Sequence, residues 1–273
     1  MTTATAIDLA AVKGRQQATW ASGDYAEIAT LIVPVAERLA DAADLRAGAT
    51  VLDVASGTGN AAIAAARLGT VVTGIDYVPA LLDRARERAS AERIAIDLRQ
   101  GDAEAIPFPA AAFDATLSVF GSMFAPDQGR TAAEMVRVTR PGGTIALASW
   151  TPDGFIGAMF RTVAAHVPPP AGLASPMRWG TEEGLAELFG ADVAWTHRRR
   201  TFTFRFASAD AFVEHFGAYY GPTLKALEAA GSGRDALARD LHDLALEWSR
   251  LERPGPIAVP AAYLESVGMR RLK

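Results

Sequence analysis

Three aspartates in the first half of the chain stand where a carboxylate could hold a ligand. Asp53 closes the apolar run at residues 50–55 and precedes Ser56-Gly57-Thr58-Gly59. A Gly-x-Gly turn between a strand and a helix lets the backbone approach a ligand closely and presents helix N-terminal amides. Gly57, Gly59 and Ala62 also match the dinucleotide pattern G-x-G-x-x-A. However, Asp53 sits before the glycines, where it would repel a pyrophosphate and suit a cationic or amine-bearing ligand. Asp76 follows Gly59 by 17 residues and can accept from both hydroxyls of a ribose, in either reading. Asp102, within Gly101-Asp102-Ala103, can accept from an exocyclic adenine amine while the Ala103 amide donates to the ring.

The elements that must position these residues alternate between strand and helix. Residues 50–55, 71–75, 94 to near Gly101, 113–119 and 144–150 read as strands. Helices are expected at 60–68, closed by Gly69, at 79–90, with Pro79 in its first turn, and at 127–139, stopped by Pro141-Gly142-Gly143. Residues 103–112, with two prolines, carry no assignment. This rhythm is that of a parallel, doubly wound α/β sheet, whose ligands sit at the carboxyl ends of the strands. Upstream, 27–45 reads as an amphipathic helix, kinked or interrupted at Pro34. Downstream come helices at 157–166 and 181–189, with Thr181 as N-cap, and a strand at 193–206. Helices follow at 209–220, 224–230 and 234–251, then a turn at Pro254-Gly255-Pro256 and a last strand at 263–269. The chain is expected to be one domain: a helical cap at 1–48, a cofactor core at 49–150, and further strands at 151–273. An insertion at about 207–254 is expected to form a lid over the site.

Composition narrows the chemistry. The chain has 273 residues, no cysteine and four histidines, of which no two lie within a helical turn. Disulfides, thiolate catalysis and Cys-ligated metal clusters are excluded, and no local His pair could hold a metal. The net charge of −4 disfavours a nucleic-acid substrate. No stretch reads as a signal peptide or a membrane span, so a cytoplasmic protein is expected. The only lysines are Lys13, Lys225 and Lys273.

S-adenosylmethionine carries an amine, a ribose, an adenine and a sulfonium cation. With Phe113-Asp114 and Arg140-Pro141-Gly142-Gly143, the three aspartate motifs resemble those of the class I S-adenosylmethionine-dependent methyltransferases. The resemblance covers residues 49–150 and is to the small-molecule type of ubiquinone/menaquinone biosynthesis. It implies a Rossmann-like seven-stranded sheet with the last strand antiparallel. It also implies that Asp53 orients the methionine amine through water or backbone. Ala55, Ser56 and Gly57, with Gly59 in the same turn, would contact the methionine portion. Asp76 would bind the ribose, Tyr77 would stack on adenine, and Asp102 and Ala103 would read its edge. Ser118, Val119 and Met123 would face the methyl side. The family commonly has a third glycine where this chain has Ala55, so a modest backbone adjustment is expected there.

Simpler readings stand beside these. Asp53 can brace a turn, Tyr77 can be a surface aromatic, and Met123 can be core. On the acceptor side the candidates are Trp20 and Tyr25, near the N-terminus, and His215 and Tyr219, one helical turn apart. No catalytic base is assigned. The expected function is methyl transfer to a small, partly aromatic molecule, at an O, N or C atom left open. The alternatives are a nicotinamide-dependent oxidoreductase and a catalytically silent S-adenosylmethionine-binding protein.

Overall fold

The computed structural model describes residues 8–251 and 255–272. Readings that fall on residues 1–7 and on Pro254 lie outside that range. The chain opens with three helices, α1 (Leu9–Trp20), α2 (Tyr25–Leu31) and α3 (Val33–Ala42). There follow β1 (Thr50–Val54), α4 (Asn60–Arg67), β2 (Val71–Asp76), α5 (Pro79–Ala91), β3 (Asp97–Gln100), β4 (Phe113–Val119), α6 (Gln128–Val138) and β5 (Thr139–Trp150). The last part holds α7 (Phe155–His166), α8 (Glu182–Phe189), β6 (Val193–Phe206), α9 (Ala209–Tyr219), α10 (Gly221–Ala229), α11 (Arg234–Trp248) and β7 (Ile257–Arg270).

The seven strands form one sheet in the order β3-β2-β1-β4-β5-β7-β6. The first five are parallel, and β7 runs antiparallel between β5 and β6. This is the expected doubly wound Rossmann-like sheet with an antiparallel last strand. Strand order reverses beside β1, where β2 leaves on one side and β4 on the other. Sheets of this kind bind ligands at such a point. Val51, Leu52 and Val54 of β1 are fully buried, because a central parallel strand is covered by helices on both faces.

Several boundaries differ from expectation. The helix read at 27–45 is interrupted, as one reading of Pro34 had it, but the break falls at Ile32, with Pro34 in the first turn of α3 where its missing N–H costs nothing. Helix α1 was not foreseen: of its residues only Val12 is buried, so it carries no apolar stripe. The third strand ends near Gly101, as read, but starts at Asp97 rather than Ile94, because the Ile94 amide still donates to Ala89 O and closes α5. Strands β5 and β7 are longer than read: β5 begins at Thr139, which already pairs with Phe113 of β4, and β7 pairs along all of β6.

Helices α9, α10 and α11 are the expected insertion between β6 and β7. They pack against the N-terminal helices, α10 on α1 and α9 on α2. Among the described residues no helix is long and apolar enough to cross a membrane.

Trp179, in a short helical turn before α8, is fully buried edge-on to Phe189 at 5.6 Å, and its indole N–H has no partner. It fixes α8 against the sheet. Trp179→Ala should cost about 3–5 kcal/mol in a urea titration, as cavities of that size do. Trp179→Phe should cost about 1 kcal/mol, since it also removes the unpartnered donor.

Candidate functional site

The β1–α4 turn is built around two buried carboxylates. Asp53 is 1% exposed, and its Oδ2 accepts from Ser56 Oγ at 2.8 Å and from the Ala62 amide at 2.9 Å. It therefore stands behind the turn and braces it. It also occupies an amide in the first turn of α4, one of the donors that a pyrophosphate would need. Asp76, 4% exposed, accepts from the Gly57 amide at 2.8 Å and from the Val78 amide at 2.9 Å. The end of β2 is thereby pinned to the β1 turn. Loss of solvent pushes the Asp53 carboxyl up to about 7 and that of Asp76 up to about 6, against the pull of their hydrogen bonds.

Ala55 corrects an expectation. The backbone does not adjust to suit it: its φ is +53°, the left-handed value a glycine would take. The turn closes because Ser56 N donates to Ile75 O and Asp76 holds Gly57, and these contacts outweigh the strain. The small side chain is accommodated because residue 121 is glycine. A Cβ there would lie 2.7 Å from Ala55 Cβ. Gly59, at φ +82°, is the left-handed cap of α4. Arg88 of α5 donates to Thr58 O and to Asn60 Oδ1, both at 2.7 Å, and Asn60 Nδ2 donates to Ala29 O of α2.

This turn floors an open cleft of about 840 Å³ at the carboxyl ends of β1, β2, β3 and β4. Ten of the sequence-derived candidates line it: Ala55, Ser56, Gly57, Asp76, Tyr77, Asp102, Ala103, Val119, Trp20 and Tyr25. Others do not. Gly59 lies behind the turn with Asp53. Ser118 donates to Val54 O and accepts from the Ser122 amide, so it supports the wall from behind. Met123 is 1% exposed, within the core. His215 and Tyr219 lie together on α9, ring centroids 5.0 Å apart, away from the lining residues. No lining residue belongs to the insertion. Tyr220, just past α9, reaches the cleft only by stacking edge-on to Trp20 at 5.7 Å.

The cleft has two unlike ends. At one, Asp102 and Glu104 face the Lys13 ammonium at 2.6 and 2.5 Å. At the other, Trp20 meets Tyr25 at 5.5 Å and Phe124 at 5.0 Å, beside Ala29 and Ile32. Burial, with the nearby Asp76 charge, raises the Tyr25 hydroxyl well above its ordinary range. Lys13, Asn60, Glu104 and Phe124 were not singled out from the sequence. The only signal for Lys13 was that lysine is rare in this arginine-rich chain.

Replacing Ala55 by glycine should relieve the left-handed strain. Ala55→Gly should raise the unfolding free energy by about 0.5–1 kcal/mol, the strain released less the entropy gained by the unfolded chain. A urea titration showing a loss of stability would contradict this account of the turn.

The sequence profile of the methyltransferase domain matches residues 52–147. An uncharacterized protein of Mycobacterium tuberculosis (strain ATCC 25618 / H37Rv) is 41% identical over 223 residues, covering 80% of this chain and 81% of that one. A demethylmenaquinone methyltransferase of Deinococcus radiodurans is 42% identical over 126 residues. That match covers 45% of this chain and 52% of the enzyme, so the chain spans about half of it. Among solved structures, the YcgJ protein of Bacillus subtilis has the same fold, with a TM-score of 0.62 at 18% identity, covering 87% of this chain and 98% of that one. With the methyltransferase profile on the cofactor half of the sheet and a demethylmenaquinone methyltransferase aligned with part of the chain at 42% identity, the protein belongs to the class I S-adenosylmethionine-dependent methyltransferases.

Proposed function

We propose that the chain transfers the methyl group of S-adenosylmethionine to a small, largely apolar acceptor by in-line displacement. The observation that carries this reading is the polarity of the cleft, acidic at the ends of β2 and β3, with Asp76, Asp102 and Glu104, and aromatic beyond them. Asp76 accepts from the ribose hydroxyls through the lone pairs not used by Gly57 and Val78. Tyr77 stacks on the adenine, and Asp102 and the Ala103 amide read its edge. Backbone groups of Ala55, Ser56 and Gly57 receive the methionine portion. Asp53 acts through them, by fixing the turn.

The sulfonium supplies an already activated methyl group. The protein's share is then alignment and exclusion of water, which can supply about 7–11 kcal/mol of such a barrier. Val119, Trp20, Tyr25 and Phe124 provide the apolar walls for this. No histidine lines the cleft among the described residues, which favours an acceptor atom that is nucleophilic without a side-chain base. The size of the cleft and the aromatic end suit a ring-bearing small molecule rather than a nucleic acid.

Two measurements test the cofactor assignment. By isothermal titration, Asp76→Ala should weaken S-adenosylhomocysteine binding about 100-fold or more, the worth of two hydrogen bonds to a charged acceptor. Unchanged affinity, or binding of NADH in place of S-adenosylhomocysteine, would overturn it. The pH dependence has a definite sign. The ribose hydroxyls donate to the ionised carboxylate, so binding favours the deprotonated form of Asp76. Affinity should hold above the raised pKa of about 6 and fall as pH drops through it. Titrations at pH 7.5 and pH 5 read this directly.

A further inference from the structure

Helix α1 lies over the ends of β2 and β3 on a row of polar contacts. Lys13 Nζ is 2.6 Å from Asp102 Oδ2 and 2.5 Å from Glu104 Oε2. Gln17, one turn further along the same face, donates to Tyr77 O at 2.5 Å. The two acceptors of Lys13 are themselves held in place. Asp102 Oδ1 accepts from the Glu104 amide at 2.9 Å, and Glu104 Oε1 accepts from the Asp127 amide at 2.8 Å. Apolar anchoring of the helix is slight, since only Val12 is buried. Its far end is different: Trp20 packs into the aromatic group with Tyr25, Phe124 and Tyr220, and the chain turns at Gly23, where φ is +70°. The helix is fixed at its C-terminus and latched by ions near its N-terminus.

We propose that Lys13 is a positioning residue that latches α1 over the adenine end of the cleft, so that its ion pair with Asp102 and Glu104 sets the rate at which the cofactor enters and leaves. The inference rests on the cofactor placement given above and deepens it. Ion pairs that are partly open to water, as here with Lys13 at 26% and Asp102 at 36% side-chain exposure, are individually weak. That suits a latch which must open once per turnover, and it would be a poor permanent anchor. The ammonium also offsets part of the charge of two adjacent carboxylates. Without Lys13, Asp102 and Glu104 would repel one another beside the ligand.

The test follows release of S-adenosylhomocysteine from the full-length chain by stopped-flow displacement, at low and high NaCl. In the wild type, dissociation should quicken with salt as the ion pair is screened. In Lys13→Met it should be about tenfold faster and insensitive to salt, with association also faster. Lys13→Arg should restore slow, salt-dependent release, which a merely structural helix contact would not do. Release from Lys13→Met at the wild-type rate, or wild-type release indifferent to salt, would overturn the latch. If S-adenosylhomocysteine binds the wild type and Asp76→Ala abolishes binding while Lys13→Met releases normally, the latch alone fails. If S-adenosylhomocysteine does not bind the wild type, the cofactor reading fails and the latch with it.

Discussion

Asp53 and Asp76 are carboxylates with almost no contact with water, and each holds the turn that follows β1. Asp53 holds Ser56 and Ala62, and Asp76 holds Gly57 and Val78. A buried donor left without its acceptor costs about 1–3 kcal/mol, so the amides of this turn have little freedom to reorganise. The left-handed backbone at Ala55, the direction of α4 and the floor of the cleft all follow from that pair. The same burial raises both carboxyls toward neutrality, and only their hydrogen bonds keep them ionisable near physiological pH. The site is thus pre-shaped by the groups that make it acidic.

Around this centre the fold works in layers. Parallel strands bring three acid-bearing loops to one edge of the sheet, because each crossover returns the chain in the same direction. The N-terminal helices then close that edge: α2 and α3 are seated in the core through Ile28, Val35 and Leu39, whereas α1 is tied mainly by polar contacts from Lys13 and Gln17. The insertion α9–α11 packs outside them. It shapes the site indirectly, through Tyr220 against Trp20 and Tyr25, and through α10 against α1. A cap of this kind combines a rigid floor with a wall able to move, as a ligand that must enter and leave requires.

Much of this was legible in the sequence, for identifiable reasons. The strands β1 and β4 are buried on both faces, so they read as short apolar runs with clear ends, and the acids at the end of β2 and just past β3 could be placed by counting along the same rhythm. Asp76, Asp102, Tyr77 and the turn at 55–57 are local to those ends and do line the cleft. Helix α1 was not legible, because a helix held by ion pairs and hydrogen bonds lacks the periodic apolar stripe on which sequence reading depends. Lys13 was invisible for the same reason: its partners lie about ninety residues away. His215 and Tyr219 looked like a site because they share one face of a helix. That face stacks on Phe206 and does not reach the cleft.

The sequence by itself determined the alternation of strands and helices, the three acids at consecutive strand ends, and hence the family and its cofactor. These depend on periodicity and on spacing along the chain, which the covalent order sets. Only the tertiary structure decided the rest. It turned Asp53 inward as a brace, because the turn's own amides lie nearer than any ligand. It kept Ala55 in the left-handed region, because contacts from β2 and the space left by Gly121 outweigh local strain. And it placed Lys13 against Asp102 and Glu104 at the acidic end of the cleft, a long-range electrostatic contact that no local pattern encodes.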